Sequence, residues 1–142
     1  MGHEPLIVLD THAWLWLMNG DTRLGAGARR EIERARSAGG VHISAISVLE
    51  VARLERAGRL SFGQSVTDWV AAAFSRPGVS LAALEPAIAI DSVALPGEFH
   101  RDPADRIIIA TARARACPVL TADRAILRYA SQGYARTIDA SR

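Results

Sequence analysis

The chain has 142 residues, 49% of them hydrophobic and 23% charged, with a formal net charge of +2. That is material for one domain spanning residues 1–142 with a real apolar core, and too little for two. All 17 basic residues are arginine; the missing lysine removes a phosphate-loop ATPase, a Schiff-base enzyme and a lysine-dependent phospho-receiver. The single Cys117 excludes a disulfide framework and a thiolate metal cluster.

No apolar run approaches the ~20 residues of a membrane span. Met1–Pro5 lacks the charged-then-apolar pattern of a signal peptide. Position 6 is Leu where a myristoylation site needs Ser or Thr. The expected compartment is therefore the cytoplasm, with no membrane partner.

Leu6-Ile7-Val8-Leu9 is a short continuous apolar run, the pattern of a strand buried on both faces of a parallel sheet. It stops at Asp10, and a helix is predicted over Thr11–Met18, followed by an Asn19-Gly20-Asp21 turn. A charged helix runs over Ala26–Ala38 and ends at Gly39-Gly40. Val41–Ser44 reads as a second strand and Ala45–Ala57 as a helix closed by Gly58. Phe62–Ser75 is predicted as one helix stopped by Arg76-Pro77-Gly78, then Val79–Ala82 as a third strand and Pro86–Ala94 as a short helix. Asp102-Pro103 opens a strong helix reaching Ala116; Pro118–Thr121 is a fourth strand, Asp123–Ala130 a helix and Ala135–Ile138 a short edge strand. Short apolar strands alternating with helices of about ten residues imply an α/β fold with a parallel sheet covered on both faces.

In such a sheet ligands bind outside the carboxyl ends of the strands, and acids stand there. Asp10 ends the first strand and Asp123 follows the fourth by two residues. Glu50 lies four residues after Ile46, on the apolar stripe marked by Ile46, Leu49 and Leu54. A buried carboxylate needs compensation: a metal ion would supply it, as would a salt bridge to Arg53 or a stripe edge open to solvent. Asp105 falls in the first turn of a helix capped by Asp102, where acids meet free backbone N–H groups, yet it shares a face with Ile108, Ile109 and Ala112. Asp123 also reads as a helix cap.

Gathered in one pocket, these carboxylates repel and their pKa values climb unless a counter-ion is present. Hard divalent cations with oxygen ligands, Mg²⁺ or Mn²⁺, answer that need. Zinc does not fit, because His3, His12, His42 and His100 show no ligand spacing and Cys117 has no partner. An acidic Mg²⁺ site suits phosphodiester hydrolysis. Arginines 29, 30, 34, 53, 56 and 59 are either phosphate contacts or a solvated helix face.

Four blocks carry a family resemblance: Leu9-Asp10-Thr11-His12-Ala13-Trp14-Leu15-Trp16, Ser44-Ala45-Ile46-Ser47-Val48-Leu49-Glu50-Val51, His100-Arg101-Asp102-Pro103-Ala104-Asp105-Arg106 and Leu120-Thr121-Ala122-Asp123. In this order and spacing, across nearly the whole chain, they resemble PIN-domain ribonucleases, specifically VapC-type toxins of type II toxin–antitoxin pairs. The resemblance implies a three-layer α/β/α sandwich with a four- or five-stranded parallel sheet. It implies a catalytic metal site from Asp10, Glu50 and Asp105, with Asp123 as the fourth acid and Mg²⁺ (or Mn²⁺) as cofactor. Thr11 and Thr121 match positions beside the acids where a hydroxyl orients a ligand or water, Asp102 reads as the helix cap, and Arg106 is a candidate phosphate contact. The family cuts RNA, often transfer or ribosomal RNA. Its members are inhibited by an antitoxin that lays a peptide across the acidic pocket, and they commonly form homodimers. Trp14, Trp16 and the segment from Phe62 to Phe74 are either partner surfaces or core.

Other readings are weaker. A phosphotransferase with Asp10 as nucleophile wants a second Asp two residues on, and position 12 is His. A nucleotide-binding Rossmann domain wants a Gly-x-Gly-x-x-Gly that does not follow Leu9. A PIN-like module that binds RNA or protein without cutting is the chief alternative, and the full set of four acids argues against it.

Overall fold

The computed structural model describes residues 5–142; the signal-peptide reading over Met1–Pro5 and the histidine at position 3 fall on or against residues 1–4, outside that range. Strand β1 (Ile7–Leu9) is buried along its whole length, as a continuous apolar run requires. Side chains alternate across a strand, so the run divides. Ile7 and Leu9 pack with Val41, Ile43 and Leu120 against Trp14, Leu15, Ile32 and Val51, whereas Val8 meets Ile108, Ala112 and Val119 on the opposite face.

The other elements follow in the order expected from sequence: α1 (Thr11–Asn19), α2 (Ala26–Ser37), β2 (Val41–Ser44), α3 (Ala45–Arg56), α4 (Val66–Ser75), β3 (Val79–Ala82), α5 (Pro86–Val93), α6 (Pro103–Ala114), β4 (Val119–Thr121), α7 (Arg124–Ser131) and β5 (Thr137–Asp139). All strands are parallel in the order β3-β2-β1-β4-β5. Helices α1, α2 and α4 cover one face, and α6, with α5 and α7 against it, covers the other; α3 contributes Val51 to the first core and Ile46 to the second. The result is the three-layer α/β/α arrangement, at the upper end of the expected strand count. Among the described residues no helix is long and apolar enough to cross a membrane.

One expectation needs correcting. The segment from Phe62 to Ser75 is not one helix. Gly63 takes a left-handed φ of 67°, which interrupts helical geometry, and the hydroxyl of Ser65 accepts the Asp68 N–H at 3.0 Å to start α4 at Val66. Phe62 lies outside the helix and stacks on Trp69 at 4.4 Å. Of the two readings of Trp14, core packing holds: it is 1% exposed, edge-on to Trp69 at 5.0 Å and 5.7 Å from Phe74. Trp16 stays partly open, with the Arg23 guanidinium 5.1 Å from its ring centre. Smaller differences lie at element ends: β5 begins at Thr137 rather than Ala135, and α6 ends at Ala114 rather than Ala116.

Strand order fixes where a site can form. From central β1 the chain crosses to β2 on one side, and the later half returns to place β4 on the other. The loops at the ends of β1 and β4 therefore diverge and leave a crevice, the topological switch point of an open parallel sheet. Register brings the ends level: Leu9 pairs with Ile43 and with Leu120, and the Asp10 N–H donates to Leu120 O at 3.2 Å. The aromatic cluster beneath α1 supports this edge. Trp14→Ala is expected to lower unfolding free energy by about 3–5 kcal/mol in a denaturant titration; a loss below about 1 kcal/mol would show that the ring does not anchor α4.

Candidate active site

Asp10 stands at the switch point because the apolar strand ends there and a helix begins. It caps α1, with Oδ1 accepting the Ala13 N–H at 2.8 Å, and is 6% exposed. Its other oxygen accepts the hydroxyl of Thr121, the last residue of β4. Thr121 in turn accepts the Asp123 N–H at 2.9 Å, so one buried hydroxyl ties the first acid to the loop carrying the fourth. Burial drives the Asp10 pKa upward, and the hydrogen bonds from Thr121 and Ala13 oppose it.

Glu50 projects from α3, half-buried. Its carboxylate accepts the hydroxyl of Thr11, which has only one proton to give and therefore accepts from Ser47 Oγ at 2.9 Å. Ser47 is wholly buried and lies one helical turn before Glu50. The salt bridge to Arg53 is not formed: among the described residues Glu50 has no ion pair. Burial raises its pKa first, with the charges of Asp102 and Asp10 adding to it.

Asp105 is the third residue of α6, but it does not cap the helix. Asp102 does, accepting the Ala104 N–H at 2.9 Å. An acid satisfied by a helix N-terminus is held ionised; Asp105 is pushed up to about 7, chiefly by burial and then by the charges of Asp102, Asp123, Glu50 and Asp10. Asp123 caps α7 with Oδ1, which accepts from Ala125 at 2.8 Å and Ile126 at 3.1 Å. Its residue is exposed, and Oδ2 meets no protein donor among the described residues.

Asp10, Glu50, Asp105 and Asp123 are thus near enough for each to feel others, at one edge of the sheet. Among the described residues the one basic group within ion-pair distance of any of them is His100, with Nε2 3.2 Å from Asp105 Oδ2. Among the described residues no group of three or more His, Cys, Asp or Glu side chains is drawn together closely enough to hold a metal ion. The donor set is all oxygen, anionic and open. Oxygen donors of this type are the ones hard cations such as Mg²⁺ take, so the set matches the ion in ligand chemistry, though the acids are not gathered around one point.

The three candidate substrate contacts, Thr11, Thr121 and Arg106, have partners within the protein. Thr11 and Thr121 are buried and hold carboxylates instead of facing solvent. Arg106 is not placed as a phosphate contact: Nε donates to Ser92 O at 2.7 Å, and Nη1 donates to Phe99 O and His100 O at 3.1 and 3.2 Å. Its guanidinium clamps the loop between α5 and α6. Of the helix arginines, Arg29 is committed to Asp21 O and Leu24 O, and Arg34 pairs with Glu31 on an exposed face. Sequence reasoning missed Ser47 and His100. Ser47 carried one usable signal, its three-residue spacing from Glu50 on a helix; His100 reaches Asp105 only through loop geometry.

Comparison with known proteins agrees with this architecture. Residues 7–132 match the family described as PIN domain. Ribonuclease VapC22 of Mycobacterium tuberculosis is 33% identical over 118 residues, 83% of this chain and 87% of that protein. The crystal structure of VapBC2 from Rickettsia felis, bound to a DNA fragment from its promoter, superposes with a TM-score of 0.68 at 12% identity, covering 94% of this chain and 97% of that one. A toxin–antitoxin complex from Klebsiella pneumoniae superposes with a TM-score of 0.55 at 21% identity, covering 82% and 86%. The sheet order, the acids at the switch point and a family match over nearly the whole chain lead to one conclusion: this protein belongs to the PIN-domain family.

Proposed function

We propose that the chain is a metal-dependent endoribonuclease, the toxin of a type II toxin–antitoxin pair, hydrolysing RNA phosphodiester bonds in the acidic pocket. The observation that carries the reading is the set of four carboxylates at the switch point with no arginine paired to any of them among the described residues; burial, and then the neighbouring acids, push Asp105 up to about 7. Identity to a named ribonuclease and likeness in fold to a toxin–antitoxin complex support it. Asp10, Glu50 and Asp105 would hold Mg²⁺ or Mn²⁺, with Asp123 contributing its free oxygen. When bound, the ion supplies a water of lowered pKa and neutralises charge on the phosphorus oxygens.

The chain's own groups do the positioning. Thr121 and the Ala13 N–H fix Asp10, and the Ser47–Thr11 pair fixes Glu50, so the acids keep their aim without a competing cation. Arg101 and Arg124 flank the acids in sequence, are exposed, and form no ion pair among the described residues. They supply the positive charge that phosphates need. The partners are an RNA substrate, of the transfer or ribosomal class, and a cognate antitoxin whose peptide crosses the acidic pocket. A homodimer would cover the large apolar side chains left open at the β3 edge and on α5: Leu81, Leu84, Ile90 and Val93, the last 79% exposed. The proposed compartment is the cytoplasm.

The test is incubation of total bacterial RNA with purified, antitoxin-free protein in Mg²⁺, Mn²⁺ or EDTA. Discrete fragments that require the metal are expected, and Asp10→Asn or Asp105→Asn, both folded, should reduce cleavage to background. Intact RNA in every lane with folded protein would favour a non-catalytic binding module.

The acids also set a pH dependence. Between the ordinary carboxylate value of 3.8 and about 7, the unfolded chain releases the Asp105 proton while the folded chain keeps it. The folded state then binds more protons, so this group's contribution to stability falls as pH rises through that window and levels off above it. In EDTA, Asp105→Asn should therefore gain on the wild type from pH 4 to pH 8, reaching about 1–3 kcal/mol. Saturating Mg²⁺ should stabilise the wild type more than the variant. Parallel stability–pH curves for the two proteins would refute this account of the cluster.

A further inference from the structure

Resting on the reading of the acids as a cation site, we propose that His100 is a positioning residue for Asp105, donating to it through Nε2. The argument starts from the other ring nitrogen. The backbone N–H of Asp102 points at His100 Nδ1 at 3.2 Å, which requires a lone pair there. The proton of the neutral ring then sits on Nε2, and Nε2 lies 3.2 Å from Asp105 Oδ2. The backbone thus selects the tautomer that offers its N–H to the acid, the arrangement by which partners in the outer shell orient a metal-binding carboxylate.

The loop that carries the ring is built to hold it there. Arg106 binds the carbonyls of Ser92, Phe99 and His100 itself, and Tyr129 donates to Pro96 O at 2.6 Å. Phe99 sits edge-on to Tyr129 at 5.1 Å, and the His100 ring lies tilted on Phe99 at 4.0 Å. Fixing a side chain that is still 40% exposed has an ordering cost. Here fastenings from α6, α7 and the loop converge on one imidazole, and its free nitrogen is aimed at Asp105. A neutral donor also suits the position. An arginine or lysine there would neutralise Asp105 and compete with a cation, whereas an imidazole N–H fixes one oxygen and leaves the other available.

Two measurements test the proposal. In metal-free protein, long-range ¹H–¹⁵N correlation at neutral pH should show His100 as the Nε2–H tautomer; the Nδ1–H tautomer would overturn it. Titration with Mn²⁺, followed by calorimetry, should show His100→Ala binding about tenfold more weakly than wild type, with His100→Gln, whose amide N–H reaches the Nε2 position, recovering most of the loss. The metal-free melting temperatures report whether each variant is folded. Wild-type Mn²⁺ affinity in a folded His100→Ala, or no recovery in a folded His100→Gln, would overturn the inference. Asp105→Asn separates the two levels of argument. If it loses Mn²⁺ while His100→Ala does not, only the role of His100 falls; if neither variant nor wild type differs in Mn²⁺ binding, the cation-site reading falls with it.

Discussion

Crowding carboxylates into the crevice beside β1 works against folding, and much of the local structure can be understood as containing that repulsion. Burial raises the pKa of Asp10 and Glu50, and the accumulated charge of the neighbouring acids adds to burial at Asp105. Two routes could relieve such strain: salt bridges within the pocket, or neutral hydrogen bonds that hold the acids without cancelling them. This chain takes the second route almost throughout. Thr121 and a backbone N–H hold Asp10, the Ser47–Thr11 pair holds Glu50, and backbone N–H groups at the start of α7 hold Asp123.

The placement of arginine fits the same logic. The ion pairs it forms among the described residues, Arg23 with Asp21, Arg34 with Glu31, Arg36 with Glu33, Arg113 with Asp91 and Arg142 with Asp139, all lie on other acids. Such exposed pairs contribute little to stability, so stability must come from the two apolar layers and the aromatic contacts of Trp14, Trp69, Phe62 and Phe74. A site with unresolved electrostatic strain and a core that supplies the offsetting stability is the general pattern where function opposes stability.

The sequence carried the strand order less directly than the elements. The continuous apolar run at Leu6–Leu9 and its abrupt end at Asp10 announce a buried central strand with an acid at its carboxyl end, and the structure has both. Asp102 and Asp123 were legible as caps because capping depends on residues within one turn. What could not be read depends on chain segments far apart. The Thr121–Asp10 bond joins residues 111 positions apart, and Thr11 meets Glu50 across 39. The helix predicted from Phe62 failed for a local reason that propensity undervalues: a left-handed Gly63 and a serine cap set the start, while Phe62 was apolar for a tertiary purpose, stacking on Trp69.

Arg106 shows most clearly why a motif residue near an acid need not touch what the acid acts on. It lies one residue beyond Asp105, carries a positive charge and sits in one of the four blocks that carry the family resemblance, which made it a candidate phosphate contact. A guanidinium has five donors in a fixed fork, and here three of its hydrogen bonds go to main-chain carbonyls, Ser92 O in α5 and Phe99 O and His100 O in the loop entering α6. Few side chains can satisfy three carbonyls at once. The charge adjoining Asp105 is therefore spent on backbone, leaving that acid perturbed rather than neutralised. A lysine could not span the same carbonyls from one ammonium with this planar geometry. The loop thus holds its shape without lending its cation to the pocket, and the acidity of the pocket depends on that separation.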